Sequence, residues 1–187
     1  MAFIPIIIVL AVILLPIIYV VLTYNTLVAL RNHIRDAWSN IDTELKRRYD
    51  LIPNLVATVK GYAAHEKAIF EKITELRAQC MANRGPTGEQ AMGENQLVAA
   101  LQQMLGVVEN YPQLKSDRNF LALQRELVET EDRIQAARRF YNGNVRDYRN
   151  KCETFPSSII ASTFGFQKED YFDVHPSVRE VPDADFG

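Results

Sequence analysis

The 187-residue chain sets 21 Lys and Arg against 23 Asp and Glu, a net charge of −2, with 48% hydrophobic side chains. This balance excludes the strongly basic surface of a nucleic-acid binder, and no dense Lys/Arg block abuts the most apolar stretch. Only two cysteines, Cys80 and Cys152, lie far apart in the chain, which excludes a disulfide-stapled secreted scaffold and predicts reduced thiols.

From Ala2 to Leu22 there is no charged side chain, and the first charge anywhere is Arg31. About 21 helical residues rise roughly 31 Å, the thickness of a bilayer's hydrocarbon core, so residues 1–24 are predicted to be a transmembrane anchor. A cleaved signal peptide fits less well, because the run is long, lacks a basic leader and is followed by no small-residue cleavage site. Pro16 is expected to kink the helix, while Phe3, Tyr19 and Tyr24 suit the membrane interfaces. Arg31, Arg35, Lys46, Arg47 and Arg48 all follow the run, which places the C-terminal side in the cytoplasm and the N-terminus outside. The anchor has no glycine and so no G-x-x-x-G signal for close helix pairing.

Residues 25–152 read as an elongated antiparallel helical bundle. Leu27, Leu30, Ile34, Ala37, Ile41, Leu45, Ile52, Leu55, Val59 and Tyr62 recur three and four apart, and the pattern continues through Ile69, Ile73 and Leu76 to Cys80. This is coiled-coil spacing that begins without a linker, so the anchor is expected to run unbroken into the bundle. Asp42 with Lys46 and Glu44 with Arg48 are predicted ion pairs on the flank of the stripe. Pro53 predicts a kink or local break over Leu51 to Asn54. Ala82 to Asn95 (ANRGPTGEQAMGEN) reads as a loop, followed by a helix over Leu97 to Val108. Ser116 is then the expected N-cap of a long helix reaching about Lys151, with Phe120, Leu123, Leu127, Ile134, Ala137, Tyr141, Val145 and Tyr148 as its stripe. Gly143 should weaken this helix locally. Residues 153–187 change character: Phe155, Phe164, Phe166, Tyr171 and Phe172 among turn residues predict an aromatic strap packing on the bundle or on a neighbouring subunit.

The sequence carries no recognisable catalytic pattern. A di-iron carboxylate bundle needs Glu-x-x-His pairs, but His33, His65 and His175 follow Leu30, Tyr62 and Phe172 at that spacing. His65-Glu66 has no second histidine to complete a zinc helix, neither cysteine has a ligand partner nearby, and phosphate-binding and nucleophile-elbow motifs are absent. The expectation is no catalytic residue, no metal and no cofactor.

The block from Tyr24 to Lys67 (YNTLVALRNHIRDAWSNIDTELKRRYDLIPNLVATVKGYAAHEK) closely resembles the signature of the LemA family. FLALQRELVETEDRIQAARRFYNGNVRDYRN and FPSSIIASTFGF resemble two later blocks, so the resemblance covers nearly the whole chain. It implies an N-terminally anchored, all-α, cytoplasmic domain in a bacterial inner membrane, with no established enzymatic activity. A branch of that family is associated with magnetosome membranes, which implies a membrane-organising scaffold by analogy. One departure is that Ala57-Thr58 stands where the family commonly has Glu-Thr.

Trp38, Arg47, Arg48, Tyr49, Pro53 and Asn54 lie in the densest block and are the first candidate interaction surface; Trp38 also borders the apolar stripe, where core packing competes with binding. Asn142, Asn144 and Arg146 form a second, because an Asn-Gly-Asn run inside a helix gains nothing unless its polar groups bond elsewhere. The predicted function is a non-enzymatic, self-associating scaffold whose partners are the lipid bilayer, copies of itself and another membrane protein, with no nucleic acid. An adaptor for a membrane protease or sensor is the alternative, and an enzyme with an unrecognised site the third.

Overall fold

The computed structural model describes residues 3–172, all helix and connection. Met1, Ala2 and the acidic end from Asp173, with His175, lie outside the described residues, as does the side chain of Phe3. The elements are α1 (Phe3–Lys60), α2 (Lys67–Ala82), α3 (Thr87–Val108), α4 (Pro112–Lys115), α5 (Arg118–Glu153) and α6 (Ser157–Thr163). They group into two compact units, Met1–Trp38 with Gly143–Glu169 and Ser39–Asn142 with Asp170–Gly187.

α1 is one continuous helix of 58 residues, long and apolar enough in its first part to cross a membrane. Along that part Val12, Ile13, Leu14, Leu15, Ile17, Ile18, Val21 and Leu22 are exposed, a surface suited to lipid and costly in water. Burial begins at Thr23 and Leu27. From there the stripe Ile34, Ala37, Ile41, Leu45, Ile52, Leu55 and Val59 is buried as its spacing requires.

Pro53 does not break α1, contrary to one of the two outcomes its position allows. A proline has no N–H to give the carbonyl four residues back, which here is Tyr49. Arg77 of α2 makes good the loss, donating from Nε to the Tyr49 carbonyl at 2.7 Å. The chain stops being helical eight residues later: the amides of Tyr62 and Ala63 both bond the Val59 carbonyl, and α2 then folds back along α1. The sequence pattern hid this corner because the apolar spacing carries straight through it.

The expected loop over Ala82 to Asn95 is a correction. Only residues 83–86 connect α2 to α3, and Gly88 and Gly93 lie inside the helix. Pro86 starts it, Gly85 donates its N–H to Asn83 Oδ1, and Gln90 Nε2 donates to the Gly85 carbonyl. Gly93, in the helix interior, costs about 1 kcal/mol, offset by burial of Ala91, Leu97, Ala100, Leu101 and Met104 on the face toward the core. The cap of α5 also shifts by one residue: Asp117, not Ser116, accepts the Phe120 N–H at 2.9 Å through Oδ1.

The aromatic tail lies on its own chain as far as Phe172. In the first unit Tyr148 donates to the Gln167 carbonyl at 2.9 Å. In the second, Tyr141 donates to the Asp170 carbonyl at 3.0 Å and Phe172 is fully buried. Both cysteines are free thiols, Cys80 buried and Cys152 half-buried.

Candidate functional site

The second unit encloses a charged cluster that three of its helices build. α1 supplies Arg48 and Tyr49, α3 supplies Glu94, and α5 supplies Glu131. Each charge falls in phase with an apolar stripe: Arg48 between Leu45 and Ile52, Glu94 between Ala91 and Leu97, Glu131 between Leu127 and Ile134. The helical period therefore points them inward, and the fold must pair them. Arg48 is 1% exposed and makes a fork, Nη1 to Glu131 Oε1 at 2.7 Å and Nη2 to Glu94 Oε2. Tyr49 donates its hydroxyl to the other Glu94 oxygen, so both oxygens of that carboxylate are occupied. The predicted pair of Glu44 with Arg48 is thereby overturned; Glu44 meets Arg47 instead, at 3.7 Å.

The electrostatics follow from burial. Desolvation alone would lower the Arg48 pKa, but the carboxylates of Glu131 and Glu94 outweigh it and hold the guanidinium above its ordinary value. Burial first, then the hydrogen bond to Glu94, raise the Tyr49 phenol. Burial and the Glu94 carboxylate push the Cys80 thiol up to about 12. A thiol held that high is neutral and a poor nucleophile. Arg48 Nε is buried and has no hydrogen-bond partner. The arrangement is a closed ionic tie between helices, in which two carboxylates compensate one guanidinium.

The predicted surface residues separate. Arg48 and Tyr49 are core; Arg47, Pro53 and Asn54 are exposed on α1. Arg47 borders a cleft of about 380 Å³ with Leu51, Glu126, Glu129, Thr130 and Arg133. Trp38 is half-buried in the first unit. Asn142 serves the fold: its Oδ1 accepts the Phe172 N–H at 2.9 Å and its Nδ2 donates to the Phe172 carbonyl at 3.2 Å. Arg138 lies over the Phe172 ring at 5.0 Å, which completes this clamp. Asn144 and Arg146 belong to the first unit, Asn144 half-buried and Arg146 exposed beside Asp147. Glu94, Glu131 and Arg77 were missed from sequence, although a charge standing in stripe phase was the available signal. Among the described residues no group of His, Cys, Asp and Glu is arranged to hold a metal ion.

The sequence profile of the LemA family matches residues 37–186. The chain is 29% identical over 179 residues to the magnetosome protein MamQ 2 of Paramagnetospirillum magneticum, a match covering 82% of this chain and 66% of the relative. It is 27% identical over 179 residues to the magnetosome protein MamQ of Magnetospirillum gryphiswaldense, with the same coverage. Protein LemA of Metamycoplasma hominis is 27% identical over 151 residues, 80% of this chain and 66% of that protein. The matches thus span just under two thirds of these relatives' length. With its family profile, its helical architecture and its long apolar first helix in agreement, the chain belongs to the LemA family.

Proposed function

We propose that this protein is a membrane-anchored scaffold that acts by holding copies of itself together and not by catalysis. α1 anchors it in the bilayer with the helical part in the cytoplasm, an orientation supported by Arg31, Arg35, Lys46 and Arg47 on that side. The observation that carries self-association is an apolar groove between α3 and α5. Val98 and Leu105, seven residues apart on α3, line it with Leu127 and Val128 of α5, together with Gln102, Glu131 and Asp132. Val128 is 52% exposed and Leu121, one heptad before it, 42%. Heptad-spaced apolar residues bordering a groove suit a two-fold interface in which each copy presents the same patch. The charges of the buried cluster are meanwhile spent on one another, which suits a structural role. A membrane-organising scaffold also accords with relatives that carry the name magnetosome protein.

The test is the mass of the full chain in mild detergent by light scattering. An oligomer that Val128→Glu dissociates without loss of helix content supports the scaffold; a monomer at micromolar concentration overturns it. A single stoichiometric foreign partner on pull-down would replace it with an adaptor.

A further inference from the structure

α5 ends at Glu153, and the corner that follows returns through α6 to the aromatic tail. Residues 154–167 (TFPSSIIASTFGFQ) carry no charged side chain. Within the first unit this corner sits at the end of the apolar stretch of α1: the Phe164 ring packs edge-on against Tyr24 at 5.0 Å, and Phe166 lies 5.6 Å from the same ring. Tyr24 is two residues beyond Leu22, where the exposed apolar surface of α1 stops. Arg31, the first charge of the chain, lies over Phe166 at 5.3 Å on the side away from the anchor.

The corner turns an apolar face outward. Phe155 is 77% exposed, Ile159 57% and Phe164 53%, while Ser157, Ile160 and Ala161 face inward. Four of its five hydroxyls bond the chain's own local backbone. Thr154 donates to the Asn150 carbonyl, Ser157 to Lys151 and Thr154, and Ser162 and Thr163 both to Ile159. The nearest charges, Glu153 and Lys168, neutralise each other at 2.8 Å. A surface with large apolar side chains, mostly satisfied hydroxyls and no charge loses little on leaving water.

We propose that the α5–α6 corner is a second membrane contact, with Phe155, Ile159 and Phe164 seated in the bilayer interface beside the emerging anchor. The occupant is lipid and not a second copy, because the patch is continuous with the apolar surface of α1 through Tyr24, and aromatic side chains favour that depth. The contact limits rotation of α1 about its own axis, since one side of the helix then carries a wedge in the headgroup layer. This inference rests on α1 being a membrane anchor, as proposed above.

The test reconstitutes the full chain into vesicles of lipid brominated at shallow acyl positions and reads tryptophan quenching. Trp38 provides the background in the wild type; Ile159→Trp and, independently, Phe155→Trp report on the corner, and Ile17→Trp on the anchor. Loss of most of the added emission at Ile159→Trp or Phe155→Trp, alongside quenching at Ile17→Trp, supports the contact. Quenching at Ile17→Trp with none at either corner position overturns it and leaves the anchor standing. No quenching at Ile17→Trp overturns both. Disulfide-linked dimers of Ile159→Cys with an unquenched corner assign the face to a second copy and likewise overturn it.

Discussion

The charged cluster of the second unit and the uncharged corner of the first dispose of polar groups in opposite ways. Around Arg48 the guanidinium and the Glu94 carboxylate are buried and Glu131 is partly so, and the three must satisfy one another, so helices α1, α3 and α5 are tied at one point. Around Ile159 charge is absent and the hydroxyls of Thr154, Ser157, Ser162 and Thr163 bond the local backbone, so no ion pair ties the corner to a particular neighbour. The first arrangement fixes which helices meet; the second leaves an outer face whose environment can be apolar. Breaking a buried ion pair is expensive because the partner charges stay behind, whereas trimming an exposed apolar side chain costs the fold little.

The largest effect that would break this contrast is at Arg48. Arg48→Met strands Glu94 and Glu131 and is expected to cost about 3–5 kcal/mol of unfolding free energy, read from denaturant midpoints. Arg48→Lys should recover only part of it, since an ammonium cannot make the fork. Next comes the proline repair: Arg77→Met leaves the Tyr49 carbonyl without its donor, at about 1–3 kcal/mol. In a Pro53→Ala background residue 53 supplies its own N–H, and the same substitution should cost markedly less; equal costs would show that Arg77 does not stand in for the missing amide. A smaller effect sharpens the electrostatics. The Cys80 thiol titrates ordinarily near 9.0 and in the folded chain near 12, so as pH rises the unfolded chain releases its proton first. Stability from this group is intact below pH 9 and falls between about 9 and 12, and Cys80→Ala should flatten that part of the profile of melting temperature against pH. The smallest effect is at the corner: Ile159→Ser should shift stability in detergent by no more than about 0.5 kcal/mol. A loss as large as that of Arg77→Met would mean the corner is core and would erase the contrast.

Much of the fold was legible in the sequence because helical phase is a long-range signal. The stripes from Leu27 to Val59 and from Phe120 to Tyr148 mark faces that are buried in the structure. The corner at residues 61–66 was not legible, since the spacing of Val59, Tyr62 and Ile69 mimics an uninterrupted helix. The start of α3 was hidden by composition: Gly88 and Gly93 read as loop, and the burial that offsets them depends on a facing helix. The charged cluster left its trace only as gaps in the stripes at Arg48 and Glu131, which become informative when each is seen to need a partner.

Self-association is tested most directly in the native membrane. Val128→Cys, with the wild type's Cys80 and Cys152 as background and Ala122→Cys as an exposed site away from the groove, is exposed to a mild oxidant in intact membranes. A disulfide-linked dimer at Val128→Cys, well above both the wild type and Ala122→Cys, is the predicted result. Cross-linking no greater at Val128→Cys than at Ala122→Cys would contradict a scaffold built through the α3–α5 groove.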